Sequence, residues 1–282
     1  MANAEHEQLL QQGETTWNQW REDHPDANPD LSNSELDGFS FRFLDMKHTN
    51  FAHASLTVTD FIGVDAQHAD FQHADLKGTC TVEAGFMGAC LDHADLDGAD
   101  LSGTFFDEAT FIEASLSGAT LYDSVLANAN FTGADLQGCD LGCVHGYGTV
   151  MVKANLKGAD LEEALLMEAH LEDTNFSGAN LQSANLSAAT LCRANMRGVD
   201  LREAKLFATD LRQADLSGAN LEGVLFSSES AGKYAQKHAF RPDAFKGACL
   251  RGANLKNVDL SLFDLSETDL SGAILDGCKF WH

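Results

Sequence analysis

Residues 94–103 read ADLDGADLSG, residues 154–163 ANLKGADLEE and residues 179–188 ANLQSANLSA. Each stretch divides into five-residue units of the form A(D/N)LXX: a small residue, an acid or its amide, a large apolar residue and two variable positions. Stepping outward by fives, one register runs from Leu31 to Phe226 without a slip. Of its 40 positions only Ala66, Thr81 and Gly146 are not Leu, Phe or Met. An amphipathic helix repeats near 3.6 residues and a half-buried strand at 2, so neither produces a period of five.

A longer period lies on top of the short one. Two positions after the central residue, glycine occupies 38, 78, 98, 118, 138, 158, 178, 198 and 218, with Val58 as the gap. On the other units only six of thirty equivalent positions are glycine. The recurrence every 20 residues predicts a coil of four pentapeptides. Glycine at the second central position of a turn supplies the positive φ of a type II turn, so that edge reads as a column of type II turns.

These units, over residues 31–226 and 245–280, resemble the pentapeptide-repeat family. The resemblance implies an all-β fold, the right-handed quadrilateral parallel β-helix, a solenoid that turns a corner at every unit. The central Leu or Phe and the preceding small residue would point inward. At about 4.8 Å per coil, residues 31–226 would stack ten coils over roughly 48 Å, and the C-terminal repeats bring the count to about twelve.

Residues 1–30 read as an N-terminal helical cap and linker. Leu9, Leu10, Trp17 and Trp20 sit among polar residues before Pro25 and Pro29, and an end coil needs a cover for its core. WNQWRE followed by NPDLS is similar to segments ahead of many bacterial, notably cyanobacterial, arrays of this family. Trp281 is the expected cover at the other end. The register lapses through SSESAGKYAQKHAFRPDA and resumes at Phe245. Fourteen residues are therefore inserted, and 227–244 reads as a loop at a corner of one solenoid, with 245–282 its last coils.

Composition narrows the functional classes. With 43 acidic and 18 basic side chains the net charge is −25, which repels nucleic acid and anionic membranes and suits a basic protein partner. The N-terminal residues lack a basic and apolar signal-peptide pattern, and no apolar run approaches membrane-spanning length. A cytoplasmic, soluble protein is expected. The seven cysteines fit neither a zinc pattern nor a disulfide framework, and Cys139 and Cys143 are expected as thiols.

No acid–base pair, nucleophile constellation or phosphate loop is visible, so no enzyme and no cofactor are expected. Three surface patterns remain. Acids concentrate on the side centred on Phe41, Phe61, Thr81 and Leu101 through Leu221, which carries Asp100, Asp123, Asp140, Asp160, Glu162, Glu163, Asp200 and Glu203 among its eleven acids, against Arg42 and Arg202. Histidines recur at His53, His73 and His93, and one corner back at His48 and His68. They are weak zinc candidates, because duplication of a repeat copies His without building a ligand shell.

The third pattern is apolar. On the side centred on Met46 through Phe226, Phe105, Val125, Leu165 and Leu225 stand where Asp or Asn is usual, and Met87, Tyr147, Met167 and Phe207 flank the central residues. Together they predict one continuous outward stripe, an interface for a protein partner or a second copy. Were loop 227–244 to fold back, Tyr234 and Phe240 would cover the nearest coils and leave Phe105, Val125 and Met87 open.

A non-catalytic interaction module or scaffold is the leading function. The alternative comes from the resemblance: quinolone-resistance and topoisomerase-poison-resistance relatives are rod-shaped DNA mimics that bind DNA gyrase. Residues 30–226 hold 30 acids and 10 bases, or one net charge per about 2.4 Å of the expected rod against about 1.7 Å in duplex DNA. This chain favours Leu over Phe at the central positions.

Overall fold

The computed structural model describes residues 3–227 and 237–280. Tyr234 and Trp281, expected as covers, lie outside the described residues. The chain forms two compact units, Met1–Asp135 and Leu136–His282.

In Met1–Asp135 the repeats form single-residue parallel bridges between i and i+20, from Asp30 with Asn50 to Ser115 with Asp135. Four pentapeptides therefore close one coil. Phe41 N–H donates to Asp60 C=O (2.7 Å), and Asp60 N–H donates back to Phe39 C=O (3.0 Å). Each corner is closed locally, as when Leu44 N–H donates to Phe41 C=O at 3.0 Å. Central and small residues fill the interior: Phe41, Phe51, Phe61 and Phe71 are buried, with Ala54, Val64 and Ala69 between them. Phe41 stacks on Phe61 at 4.5 Å between centroids, and Phe51 on Phe71 at 4.8 Å. Thr81 keeps its hydroxyl inside by bonding Thr104 Oγ1 at 2.8 Å, which removes the cost of an unsatisfied buried polar group.

The turns differ from the expected single glycine column. Positive φ occurs on all four sides, at His48 (57°), His53 (60°), Val58 (54°) and Glu83 (60°) as well as at Gly38 (68°). From Asn33 to Gly223 the second residue after every central one is left-handed whatever its type, and glycine relieves the strain most often on one edge. Val58, β-branched and exposed, bears it at a cost.

Two helices precede the repeats, α1 (Ala4–Gln11) and α2 (Glu14–Asp23), separated by Gly13 at φ 91°. Trp17 is fully buried, and its indole N–H donates to Asp45 C=O at 2.9 Å. Arg21 donates to Ala27 C=O (2.7 Å) and Lys47 C=O (3.0 Å). These bonds fasten α2 to the backbone of Asp45 and Lys47 in the first repeats.

In Leu136–His282 the same ladder runs from Asp140 with Asp160 to Lys205 with Leu225. Asn195 Nδ2 donates to Asn175 Oδ1, and Asn175 Nδ2 to Asn155 Oδ1, each at 2.9 Å. Beyond Phe226 the pairing offset changes: Asp215 bridges Cys249 and Asn220 bridges Asn254. The shift from 20 to 34 residues is the 14-residue insertion, and Phe245 takes the interior place that residue 231 would have held. Gly252 and Gly272 continue the glycine column.

Candidate functional site

The repeat's acids have a backbone duty. Asp100, Asp140, Asp160 and Asp200 each accept, on Oδ1, the N–H two residues on, at 3.2, 2.9, 3.1 and 3.1 Å. This is the short-range turn bond for which Asp and Asn are chosen. Asp200 also receives Arg202, Nη2 to Oδ2 at 2.6 Å, which holds its carboxyl below the usual range. In Met1–Asp135 Asp123 is exposed. In Leu136–His282 Glu162, Glu163 and Glu203 are exposed.

The histidines form ladders. His53, His73 and His93 stack at 4.9 and 4.8 Å, within 6° of parallel, and His48 stacks on His68 at 5.3 Å. Stacked rings aim their nitrogens alongside one another, not at a common point. Among the described residues no three His, Cys, Asp or Glu side chains are grouped to hold a metal.

The expected stripe is not continuous. In Met1–Asp135, Phe105 is 46% exposed and bridges Val125 on the next coil, with Met87 partly exposed on the same side. In Leu136–His282, bridges join Leu165 to Asn185, Asn185 to Lys205 and Lys205 to Leu225, so polar residues separate the two leucines. Tyr147 is exposed and Met167 partly so, but Phe207 is only 4% exposed. Phe240 and Ala188 pack against it. Phe207 is therefore a packed residue and not an open anchor.

What covers it is the end of the insertion. Lys237 Nζ reaches Glu168 Oε2 (2.6 Å) and Tyr147 Oη (3.3 Å). Phe240 lies on Phe207, Arg241 Nη2 meets Asp210 Oδ2 at 2.9 Å, and Leu211 N–H donates to Ala244 C=O at 3.0 Å. The returning segment, hereafter the strap (residues 237–244), crosses several coils and reaches Tyr147, farther than expected. Lys237 and Arg241 find carboxylates, and Phe240 closes the space between them.

The strap's electrostatics are strong. Burial pushes Glu168 up, yet hydrogen bonds from Lys237, His238 and Tyr147 more than offset it and hold the carboxyl at about 2. Asp210, its side chain 3% exposed, is likewise raised by burial but brought below its usual value by Arg212 (2.6 Å) and Arg241. Glu168 and Asp210 were not singled out in the sequence because each occupies an ordinary repeat position. The available signal was in the insertion, where Lys237, Phe240 and Arg241 stand close together in an acidic chain.

A family model described as pentapeptide repeats in eight copies matches residues 40–78, 89–128, 106–142, 129–167, 147–182, 184–227 and 245–281. The chain belongs to the pentapeptide-repeat family. Its members are known as right-handed quadrilateral β-helices. Among solved structures, this pentapeptide-repeat protein is similar to HetL, involved in heterocyst differentiation regulation in the cyanobacterium Nostoc, with 27% identity over 92% of each chain and a TM-score of 0.40. It is also similar to QnrB1, a plasmid-mediated fluoroquinolone resistance protein, at 17% identity over 74% of this chain and 92% of that one, TM-score 0.35. A pentapeptide repeat protein of the Arabidopsis thaliana thylakoid lumen matches at 29% identity over 41% of this chain and 66% of its own, TM-score 0.22. No curated protein sequence matches. No helix among the described residues is long and apolar enough to cross a membrane.

Proposed function

We propose that this pentapeptide-repeat protein is a non-catalytic interaction module, working in the cytoplasm without a cofactor and presenting apolar residues on an acidic surface to a protein partner or a second copy. The observation that carries this reading is Phe105, 46% exposed and bridged to Val125 where the repeat ordinarily sets Asp or Asn. Aromatic side chains held open on a flat ladder are the usual anchors of interface cores. The carboxylates of Asp100, Asp140, Asp160 and Asp200, spent on turn N–H groups, speak against acid–base catalysis. The reading takes α1 and α2 as the cap of the first coil, residues 227–244 as an insertion within one solenoid, and about twelve coils as its extent. Phe105→Ser with Val125→Ser should abolish self-association or partner capture, in light scattering and pull-down, with the melting temperature nearly unchanged. Retained association would overturn it.

A second reading, protection of a type II topoisomerase such as DNA gyrase by DNA mimicry, is favoured by the acids of Leu136–His282. Asp140, Asp160, Glu162, Glu163, Asp200 and Glu203 share one side and meet Arg202 as its opposing charge before Glu222 pairs with Lys256. A gyrase supercoiling assay with and without a quinolone decides it. No effect at several-fold molar excess removes this reading and leaves the first.

A further inference from the structure

From residue 78 to residue 152 the chain contains neither lysine nor arginine, the longest such run in a sequence that has 18 of them. Within Met1–Asp135 this leaves residues 78–135 with ten acids and no fixed positive charge. Phe105 and Val125 lie in that span, bridged to one another, with Gly85 bridged to Phe105 from the coil before. Their rim is acidic on both flanks. Glu83 and Asp123 stand two residues before Gly85 and Val125, and Asp107 and Glu108 follow Phe105. Gly103 N–H donates to Tyr122 C=O at 2.9 Å, which sets Tyr122, itself 48% exposed, one coil on from Phe105. Glu83, Asp107 and Glu108 form no ion pair among the described residues. Lys47, two coils back from Met87 on the same side, is held by Asp65 at 2.7 Å.

The corner also has a shape. Among the described residues a β-carbon at Gly85 would meet only Asp65 Oδ1 and Val64 C=O within 4 Å, each at 3.9 Å, so the Phe105 ring does not lie across the glycine. Phe43, in contrast, does lie across Gly63, where a β-carbon would stand 2.6 Å from its ring. Phe105 therefore projects as a ring with a step beside it.

An apolar centre inside a rim of one sign selects its occupant. A second copy docked through the same corner would set two such rims against each other, and like charges facing across an interface oppose association. A ring of Lys or Arg around an apolar side chain would instead neutralise Glu83, Asp107 and Glu108 while covering Phe105. We propose that the Phe105 corner binds a protein partner whose contact surface is basic around an apolar or aromatic side chain, and not a second copy of this chain. This deepens the interaction-module reading and rests on it.

The probe is N-terminally rhodamine-labelled Lys-Arg-Trp-Leu-Arg-Lys-amide, followed by anisotropy against the full chain. Saturable binding is expected, at least about tenfold weaker for Phe105→Ser/Val125→Ser and for Glu83→Gln/Glu108→Gln, as loss of interface anchors gives. Glu14→Gln/Glu22→Gln removes the same charge from exposed positions on α2 and should leave the affinity unchanged. Added salt should weaken binding. If the Phe105 pair lowers the melting temperature, the Glu83 pair, on exposed positions, carries the test. Equal affinity for the native chain and both corner variants, an equal loss in the α2 variant, or no saturation at millimolar probe overturns the proposal. So does self-association through Phe105 and Val125 that strengthens with salt and that the probe cannot displace. That result would give the corner to a second copy and keep the interaction-module reading, whereas absence of both self-association and any probe or partner binding would remove the two together.

Discussion

The corner at Phe105 and Val125 and the corner at Tyr147, Glu168 and Phe207 are built from the same repeat, yet one lies open and the other is covered. Phe105 has no segment over it among the described residues and stands 46% exposed, whereas Phe207, also an outward position, falls to 4% beneath Phe240. The backbone is equivalent in both, with positive φ at Glu108 and Ala208 alike. The lesson is that a solenoid's outward residues are decided by what returns over them and not by their place in the repeat.

That comparison stands on a shared interior, which gives the largest expected effect. Leu136 is fully buried, and Leu136→Asp should remove about 1.5–3 kcal/mol of burial and add the cost of an uncompensated interior charge. Cooperative unfolding by circular dichroism should shift by well over 10 °C or vanish. Asp135→Ser, one residue away and turned outward, should move the midpoint far less, and the reverse ranking would show the inward register to be misassigned.

The comparison itself is broken or kept by two phenylalanines. Phe207→Ser should cost about 2 kcal/mol, since it opens a cavity under Phe240, whereas Phe105→Ser should stay within about 0.5 kcal/mol, as exposed substitutions do. Urea titrations of the two variants test this directly. Equal losses would mean that the Phe105 corner is covered as well.

The smallest effect sharpens how the strap is held. Glu168 titrates at about 2 in the folded protein, below the 4.5 of an unperturbed glutamate. A depressed carboxyl stabilises the fold above its unfolded value, and that contribution is lost as pH falls through the folded value, so the window is about pH 4.5 to 2. The stability gap between the native chain and Glu168→Gln should be at most about 2 kcal/mol at neutral pH, after allowance for partial exposure, and should close across that window. A gap independent of pH would mean that Lys237 and His238 do not act through the ionised carboxylate.

The period of five, the coil of 20, the inward set and the 14-residue insertion were legible in the residues, because in a solenoid every contact of the ladder repeats at a constant separation. Asp215 with Cys249, offset by 34, obeys that arithmetic once the insertion is subtracted. The turn chemistry was only partly legible: glycine marked one edge, but His48, Glu83 and Val58 adopt the same positive φ, since closure by the neighbouring coils outweighs local preference. The apolar stripe was overdrawn because Asn185 and Lys205 lie in its path and Phe207 is buried.

The amino-acid sequence by itself determined the family, the coil and the interior, all of which follow from short-range spacing copied many times. Only the tertiary structure decided which outward residues stay open. Lys237 meets Glu168 across 69 residues and Tyr147 across 90, separations with no period, so the strap's seat depends on charge and shape matching in three dimensions that no repeat pattern encodes.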